Sequence, residues 1–133
     1  MKFGKIEDYS GNLRTVYSSG SFTHDLSSTE TQSITGLGFK PSKLILMACV
    51  DSALFQLSMG MDNGTIHSAL FDRGAAVDNT WGITASSYSI FINVGSGVFS
   101  SAYVSSFDND GFTLTWGKTG SPTGTVTVFY LAI

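Results

Sequence analysis

The sequence predicts a single all-β domain, an antiparallel β-sandwich of about eight to ten strands. Its 133 residues suit one domain that buries a core without disulfides. Short stretches alternate apolar and polar residues with a period of two, and Gly, Asn and Asp turn signals separate them. Charged residues make up only 13% of the chain, so the helix formers Glu, Lys and Arg are scarce. We therefore expect less than about one-tenth of the chain to be helical.

The first residues are predicted to form an arm outside the sandwich. Residues 1–13 are mixed polar and lack a clear period, whereas residues 14–133 carry the strand pattern of the sandwich domain. Dense Ser and Thr with interleaved apolar residues over residues 15–34 indicate one or two short strands. Two interpretations of the arm stay open: it orders on a neighbouring subunit or on a capsid shell, or it is a frayed terminus without a role.

The strongest strand signal lies in the middle of the chain. Residues 42–50 form a continuous apolar run after Pro41, which predicts a central strand buried on both faces. Over residues 55–62, Phe, Leu, Met and Met alternate with Gln, Ser, Gly and Asp. This period of two predicts a strand whose apolar side, with Leu57, faces the core.

Turn signals separate the remaining predicted strands. Asp62-Asn63-Gly64 predicts a hairpin, followed by a returning strand over residues 65–71 and a surface loop over residues 72–79. The final strand, residues 125–133, is apolar on both faces and is predicted to be covered on both sides. Further strands are predicted over residues 87–94, 99–107 and 112–116. The predicted core includes Leu44, Leu46, Leu57, Ile90, Ile92, Val104, Leu114, Trp116, Val128 and Tyr130.

Charge and cysteine content exclude several classes of function. The formal net charge is −3, which argues against a nucleic-acid partner because such binding needs a basic surface. Cys49 is the only cysteine and lies in the apolar run, so we expect a buried structural thiol. The start of the chain lacks the apolar region of a signal peptide, and no apolar run approaches the ~18 residues of a membrane helix. We expect a protein made in the cytoplasm, with no membrane partner.

No residue pattern in the sequence predicts catalysis or a cofactor. The two histidines, His24 and His67, have no metal-ligand spacing. Residues 108–111, Asp-Asn-Asp-Gly, partly match a calcium loop, but no acidic residue follows and a turn accounts for them. Residues 117–119 imitate the end of a phosphate-binding loop, yet Phe112 stands where that loop requires glycine. No sequence motif indicates a Ser-His-Asp triad, so a triad with His67 as base could form only from residues that the fold brings together. We therefore expect no enzyme, no metal and no cofactor.

Aromatic and basic residues are the candidates for contact with a partner. Trp81, Trp116, Tyr88 and Tyr103 could form a platform that stacks against sugars. Trp116 is in phase with the apolar residues of its strand and is expected in the core, whereas Trp81 lies among polar residues and is expected to be exposed. The residues predicted to contact a partner or a glycan are Trp81, His67, Lys2 and Lys5.

Two stretches of the chain carry a family resemblance. One reads Ile-Thr-Gly-Leu-Gly-Phe-Lys-Pro over residues 34–41 and leads into the central strand. The other reads Ala-Tyr-Val-Ser-Ser-Phe-Asp-Asn-Asp-Gly-Phe-Thr-Leu-Thr-Trp over residues 102–116, and the chain closes with Tyr-Leu-Ala-Ile. They resemble small virion proteins of tailed bacteriophages. Those proteins share a Gly-Phe-x-Pro segment before a core strand, a Ser-Phe-Asp-x-Asp-Gly-Phe-Thr-Leu-x-Trp hairpin and a terminal Tyr-Leu-Ala strand.

The resemblance implies a structural protein of the virion. The first role that the resemblance implies is that of a capsid decoration (cement) protein, which stabilises a phage head and binds the major capsid protein or another virion protein. The alternative that it implies is a receptor- or glycan-binding module of a tail or head fibre, with a host surface glycan as partner. The layout is also similar to H-type lectin domains, which end in an aromatic-x-Ala-Ile strand. These likenesses imply a jelly-roll or H-type-lectin-like sandwich that forms a homotrimer.

Overall fold

The structure, a computed structural model, describes residues 2–7, 11, 13–50, 56–72, 81–85 and 87–133. Phe55 and the predicted loop residues 73–79 lie outside these ranges. The described residues form eleven strands and no helix, so the prediction of an all-β, antiparallel chain is confirmed for them. Accordingly, they include no helix of the length and apolarity needed to cross a membrane. The strands are β1 (Lys2–Glu7), β2 (Leu13–Asp25), β3 (Thr31–Thr35), β4 (Leu44–Val50), β5 (Leu57–Asp62), β6 (His67–Asp72), β7 (Trp81–Ala85), β8 (Ile90–Gly95), β9 (Val98–Asp108), β10 (Gly111–Thr119) and β11 (Thr125–Ala132).

The strands form two antiparallel sheets that enclose one core. The larger sheet has seven strands in the order β1-β2-β11-β4-β5-β6-β7, and the smaller has four in the order β3-β10-β9-β8. Strand β4 is the middle strand of the larger sheet, as predicted for the apolar run. Both sheets contribute buried residues to one hydrophobic cluster, so they face each other across it. All the predicted core residues except Leu57 are buried.

Strand β5 faces the opposite way from the prediction. Ser58 and Asp62, on its polar side, are almost fully buried, whereas Met59 and Met61 are 44% and 63% exposed. Leu57 shares the outward side and is only half-buried, so its predicted place in the core is wrong. A period of two fixes which residues share a face, but it does not fix which face is inside.

Strands β4 and β11 are covered on one face only. Alternate residues of each strand face the core, while Ile45 and Met47 of β4 and Phe129 of β11 are about half exposed. The prediction that both strands are buried on both faces is therefore wrong for the single chain, because the described residues place a second layer on only one side of the larger sheet. Cys49 lies on the outward side of β4 and is half-buried rather than buried.

Part of the predicted arm forms an edge strand. Strand β1 pairs with the first half of β2, with Lys2 opposite Ser19 and Glu7 opposite Leu13. Gly4 lies beneath the ring of Tyr17, and a Cβ atom there would come within 1.5 Å of that ring. The boundary between an arm and the sandwich at residue 13 stays a prediction.

Asp110 joins the two stretches that carry the family resemblance. Its carboxylate accepts hydrogen bonds from the backbone N–H groups of Gly36 and Gly38, at 3.0 and 2.6 Å. Its carbonyl oxygen accepts a third from the N–H of Leu37 at 3.1 Å. Both glycines have positive φ angles, 84° and 79°, which other residues rarely adopt. The Asp-Asn-Asp-Gly turn therefore fastens the loop that precedes β4 to the β9–β10 hairpin.

Candidate functional site

The candidate site lies on the side of the larger sheet that is turned away from the core. Five neighbouring strands, β11, β4, β5, β6 and β7, place outward residues there in direct register. The middle row consists of Phe129, Met47, Met59, Leu70 and Ile83, one residue from each strand. The flanking rows contain Thr127, Cys49 and Leu57 on one side and Leu131, Ile45, Met61 and Ser68 on the other. We call these rows, together with Asp72 and Trp81, the outer face.

Large apolar side chains dominate the outer face. Eight of them are between 40% and 74% exposed: Ile45, Met47, Met59, Met61, Leu70, Trp81, Ile83 and Phe129. At roughly 100 Å² each, they present about 800 Å² of apolar surface, more than the roughly 300–600 Å² of the largest patch on a typical monomer. Patches larger than that mark sites of interaction.

Charge is nearly absent from the same surface. Within the outer face, Asp72, which lies opposite Trp81, is the one residue with an acidic or basic side chain. On the other side the face ends at β2, whose outward residues Ser19, Ser21 and Thr23 are polar. The outer face is thus an apolar centre with a polar border, which is the layout of a protein interface.

A groove of about 370 Å³ continues the outer face towards the end of β11. Its apolar lining includes Ile45, Met61, Ile66 and Ile133, and Lys43 lies at its side. The carbonyl oxygen of Ile133 accepts a hydrogen bond from the N–H of Lys43 at 3.1 Å, so the last residue is held against the start of β4. The groove therefore extends the apolar surface beyond the three rows.

Asp62 is the centre of a buried polar cluster behind the outer face. Its Oδ2 accepts hydrogen bonds from Ser89 Oγ at 2.8 Å and from the N–H of Val104 at 2.9 Å, and it lies 2.8 Å from Nδ1 of His67. Its Oδ1 accepts a bond from the N–H of Gly64 at 2.8 Å. These bonds connect β5 with β9 and with the residue before β8, and they account for the inward polar side of β5.

The order of the groups in this cluster differs from that of a nucleophilic triad. In a triad the imidazole lies between the hydroxyl and the carboxylate. Here the carboxylate of Asp62 lies between Ser89 and His67, since both contact the same oxygen. The ring of His67 also packs against Tyr103, with centroids 5.3 Å apart. Within the described ranges, no three side chains of His, Cys, Asp or Glu are grouped so that they could hold a metal ion.

A second, smaller groove lies on the smaller sheet and has a volume of about 250 Å³. Its lining includes Tyr88, Tyr103 and Trp116 but not Trp81, and because Trp116 is only 2% exposed on the inward side of β10, Tyr88 and Tyr103 are the rings that a sugar could reach. The rest of its lining consists of Phe99, Ser101, Thr115, Gly117, Lys118 and Thr119. Aromatic rings bordered by hydroxyl groups combine stacking with hydrogen bonding, which suits a sugar ligand.

The side chain of Trp116 packs against that of His24 inside the sandwich. The two rings stack with centroids 3.8 Å apart, and Trp116 Nε1 donates to Gln32 Oε1 at 3.1 Å. Burial lowers the pKa of His24 below its ordinary value, although a hydrogen bond to the Ser28 carbonyl and the nearby acidic residues oppose the shift. The fold therefore favours the neutral imidazole.

The lowered pKa of His24 predicts that the protein loses stability as the pH falls below about 6.5. Above that pH, His24 is neutral in both the folded and the unfolded chain. Below it, the unfolded chain takes up a proton more readily and is stabilised. His24→Phe keeps a ring on Trp116, and we expect it to reduce the fall in Tm between about pH 7 and pH 5. Thermal unfolding at both pH values measures this, and an unchanged pH dependence would contradict it.

The residues predicted to contact a partner lie in three separate places. Trp81 is 57% exposed on β7, at one edge of the larger sheet. Lys2 and Lys5 belong to β1 at the opposite edge, roughly 30 Å away at about 4.8 Å per strand. His67 is half-buried beside Asp62, on the inward side of β6. The fold does not bring these four residues into one site, and their roles stay predictions.

Sequence reasoning missed the outer face because it assigned the apolar residues of β4, β5 and β11 to buried positions. A signal was present in the sequence, since the stretch that forms β4 is apolar at both alternating positions and the second half of β11 is apolar at both as well. One core between two sheets buries only one side of each strand. The second apolar side therefore had to face outwards.

Neither a family model nor a curated protein matches this chain. Among solved structures, the chain is similar to the tailspike protein gp49 from Acinetobacter baumannii bacteriophage Fri1, described as a capsular polysaccharide depolymerase. The two are 6% identical with a TM-score of 0.35, and the match covers 98% of this chain and 19% of the tailspike. The chain thus spans about a fifth of that protein's length.

Proposed function

We propose that the chain is a non-enzymatic structural protein of a bacteriophage virion that acts as a capsid decoration (cement) protein. The proposal includes a jelly-roll or H-type-lectin-like sandwich, a homotrimeric state, and binding to the major capsid protein or another virion protein. The observation that carries it is the apolar, nearly uncharged outer face. A subunit that stays assembled can retain such a surface, whereas a free monomer exposes it to aggregation.

The connection made by Asp110 also supports a structural role. It unites the two stretches that resemble virion proteins, because residues 36–38 bond to the turn of the β9–β10 hairpin. The residues that carry the resemblance are therefore explained as parts of one hydrogen-bonded corner of the fold.

The proposed decoration role is tested on phage heads prepared with and without this protein. Electron microscopy is expected to reveal added density at regular positions on the shell. Decorated heads are also expected to withstand heating to a higher temperature before they release DNA, because bound subunits stabilise the assembled state by mass action. Heads with neither added density nor greater heat resistance would contradict the decoration role.

The groove on the smaller sheet favours a second candidate function, binding of a receptor or host surface glycan. Its aromatic and hydroxyl side chains can stack on and bond to a sugar. This function belongs to the fibre-module alternative. It does not involve the outer face, so the two candidates are tested separately.

If the groove binds a glycan, Tyr103→Ala is expected to weaken binding about tenfold, since a lost stacking contact is worth about 1–1.5 kcal/mol. Trp81→Ala is the matched control, because Trp81 is an exposed aromatic residue outside the groove. A glycan array followed by titration calorimetry measures both variants. Absence of any glycan bound by the wild type rejects this candidate, and loss only in Trp81→Ala places the contact on β7 instead.

A further inference from the structure

We propose that the outer face is the surface through which copies of this chain associate, with three copies placing their outer faces around a common axis. The inference deepens the proposed function by naming the subunit interface. Only the number of copies, three, rests on the proposed function. The self-association itself is argued from the outer face alone.

The size of the outer face matches the contribution of one partner to a stable interface. A standard protein interface takes about 800 Å² from each partner. The eight large side chains already present about that much apolar area, and the groove beside Ile66 and Ile133 adds more. A short peptide would cover only part of this surface.

The composition of the strands indicates that another polypeptide covers the outer face permanently. A strand that has water on one side normally alternates apolar and polar residues. Strand β4 does not alternate, since its outward Ile45, Met47 and Cys49 are as apolar as its inward residues. Strand β5 reverses the usual arrangement: its polar residues face inwards, and Met59 and Met61 face out.

A second copy of the chain is the occupant that fits a permanent cover. Such a cover must be present as soon as the protein folds and in matching amount, and an identical chain meets both conditions. The middle row contains no charge, so identical faces meet without repulsion between like charges. Asp72 and Lys43 lie towards the margins, where charges of an interface remain accessible to water.

The width of the outer face suits three copies. Five strands at a spacing of about 4.8 Å span roughly 19 Å between the outermost strand axes, or about 24 Å with their edges. Three flat faces of that width, arranged as the sides of a triangle, lie about 5–7 Å from the common axis. Packed sheets are about 10 Å apart, so each lies about 5 Å from the midplane between them. Side chains of the size of Met, Phe and Leu therefore fill the space around the axis.

Light scattering of the purified protein at micromolar concentration tests the inference. We expect a mass three times the 14.1 kDa of one chain. Met59→Glu, which places a charge in the middle row, is expected to give 14.1 kDa with an unchanged circular dichroism spectrum. Thr31→Glu adds the same charge at an exposed position of β3 in the other sheet and is expected to stay trimeric.

Each remaining outcome decides against a specific part of the inference. A monomeric wild type, or a Met59→Glu variant that stays trimeric, overturns it. A dimer that the variant dissociates overturns the three-fold arrangement. If Met59→Glu does not fold, Ile83→Glu on the edge strand β7, at a position 74% exposed, must cause the same loss of assembly.

Binding to phage heads separates this inference from the proposed function. A monomeric wild type that binds heads through the outer face contradicts self-association and leaves the decoration role standing. A trimer that does not bind heads contradicts the decoration role and leaves the interface standing.

Discussion

Replacing Asp62 with alanine is expected to lower the free energy of unfolding by about 3–5 kcal/mol, a large part of the roughly 5–15 kcal/mol of a typical domain. The carboxylate is 2% exposed and accepts hydrogen bonds from four groups. Without it, the N–H of Val104 is left buried without a partner, and the Ser89 hydroxyl keeps only its longer bond to the carbonyl oxygen of Ala102, at 3.3 Å. Each buried unsatisfied group costs about 1–3 kcal/mol. Urea unfolding followed by tryptophan fluorescence measures the loss.

Two further variants sharpen the test of Asp62. Asp62→Asn keeps the size of the side chain but turns one acceptor into a donor that faces other donors, so an intermediate loss of about 2–3 kcal/mol is expected. Glu30→Gln removes a carboxylate from an exposed position and is expected to leave the midpoint of urea unfolding nearly unchanged. If Asp62→Ala were as stable as Glu30→Gln, the inward polar side of β5 would lose its explanation.

The second large effect is expected from Gly60→Ala, with a loss of about 3 kcal/mol or more. A Cβ atom at Gly60 would lie 1.8 Å from the carbonyl oxygen of Ser89 and 2.8 Å from that of Ser68. Both obstacles are backbone atoms, so side-chain rotation cannot relieve the clash, and the region around Ser89 must move away from β5. The prediction depends on the inward orientation of Gly60.

Gly117→Ala provides the matched control for Gly60→Ala. Gly117 is also a strand glycine, but the nearest atom to its added Cβ would be Ser101 Oγ at 3.9 Å, an ordinary contact. We expect this variant to change the free energy of unfolding by less than about 1 kcal/mol. Equal stability of the two alanine variants would mean that β5 turns its methionines inwards, as the sequence pattern alone suggested.

Local signals in the sequence were sufficient for the β9–β10 hairpin. The Asp-Asn-Asp-Gly turn lies between two strands, as predicted, and Leu114 and Trp116 share the inward side of β10. The period of two and the turn residues act within a few positions of each other. For the same reason the Asp62-Asn63-Gly64 turn was predictable, and Gly64 has the positive φ angle that such a turn requires.

The orientation of β5 could not be predicted in this way. It depends on the hydrogen bonds that Asp62 accepts from Ser89 and Val104, which are 27 and 42 residues further along the chain. A local pattern contains no information about such partners. Burying a polar side is favourable only when every group on it finds a hydrogen bond, and that condition is visible only in the folded chain.

The candidate sites were predictable only in part. The sequence named Tyr88 and Tyr103 as members of an aromatic platform, and they do line one groove with Trp116. It grouped Trp81 with them, although Trp81 lies on the edge strand of the other sheet. The middle row of the outer face depends on the register of five strands, which comes from long-range pairing rather than from any one stretch.

Oxidation of methionine tests most directly the central claim that the outer face is covered in the assembled protein. Met47, Met59 and Met61 are 44–63% exposed in the single chain, so a monomer leaves all three open to peroxide. We predict that in the assembled wild type each reacts at least about tenfold more slowly than in the urea-unfolded chain, and that Met47 and Met61 regain fast oxidation in Met59→Glu. Mass spectrometry of peptides resolves the three sites. Oxidation of the assembled wild type at the rate of the unfolded chain would contradict the claim.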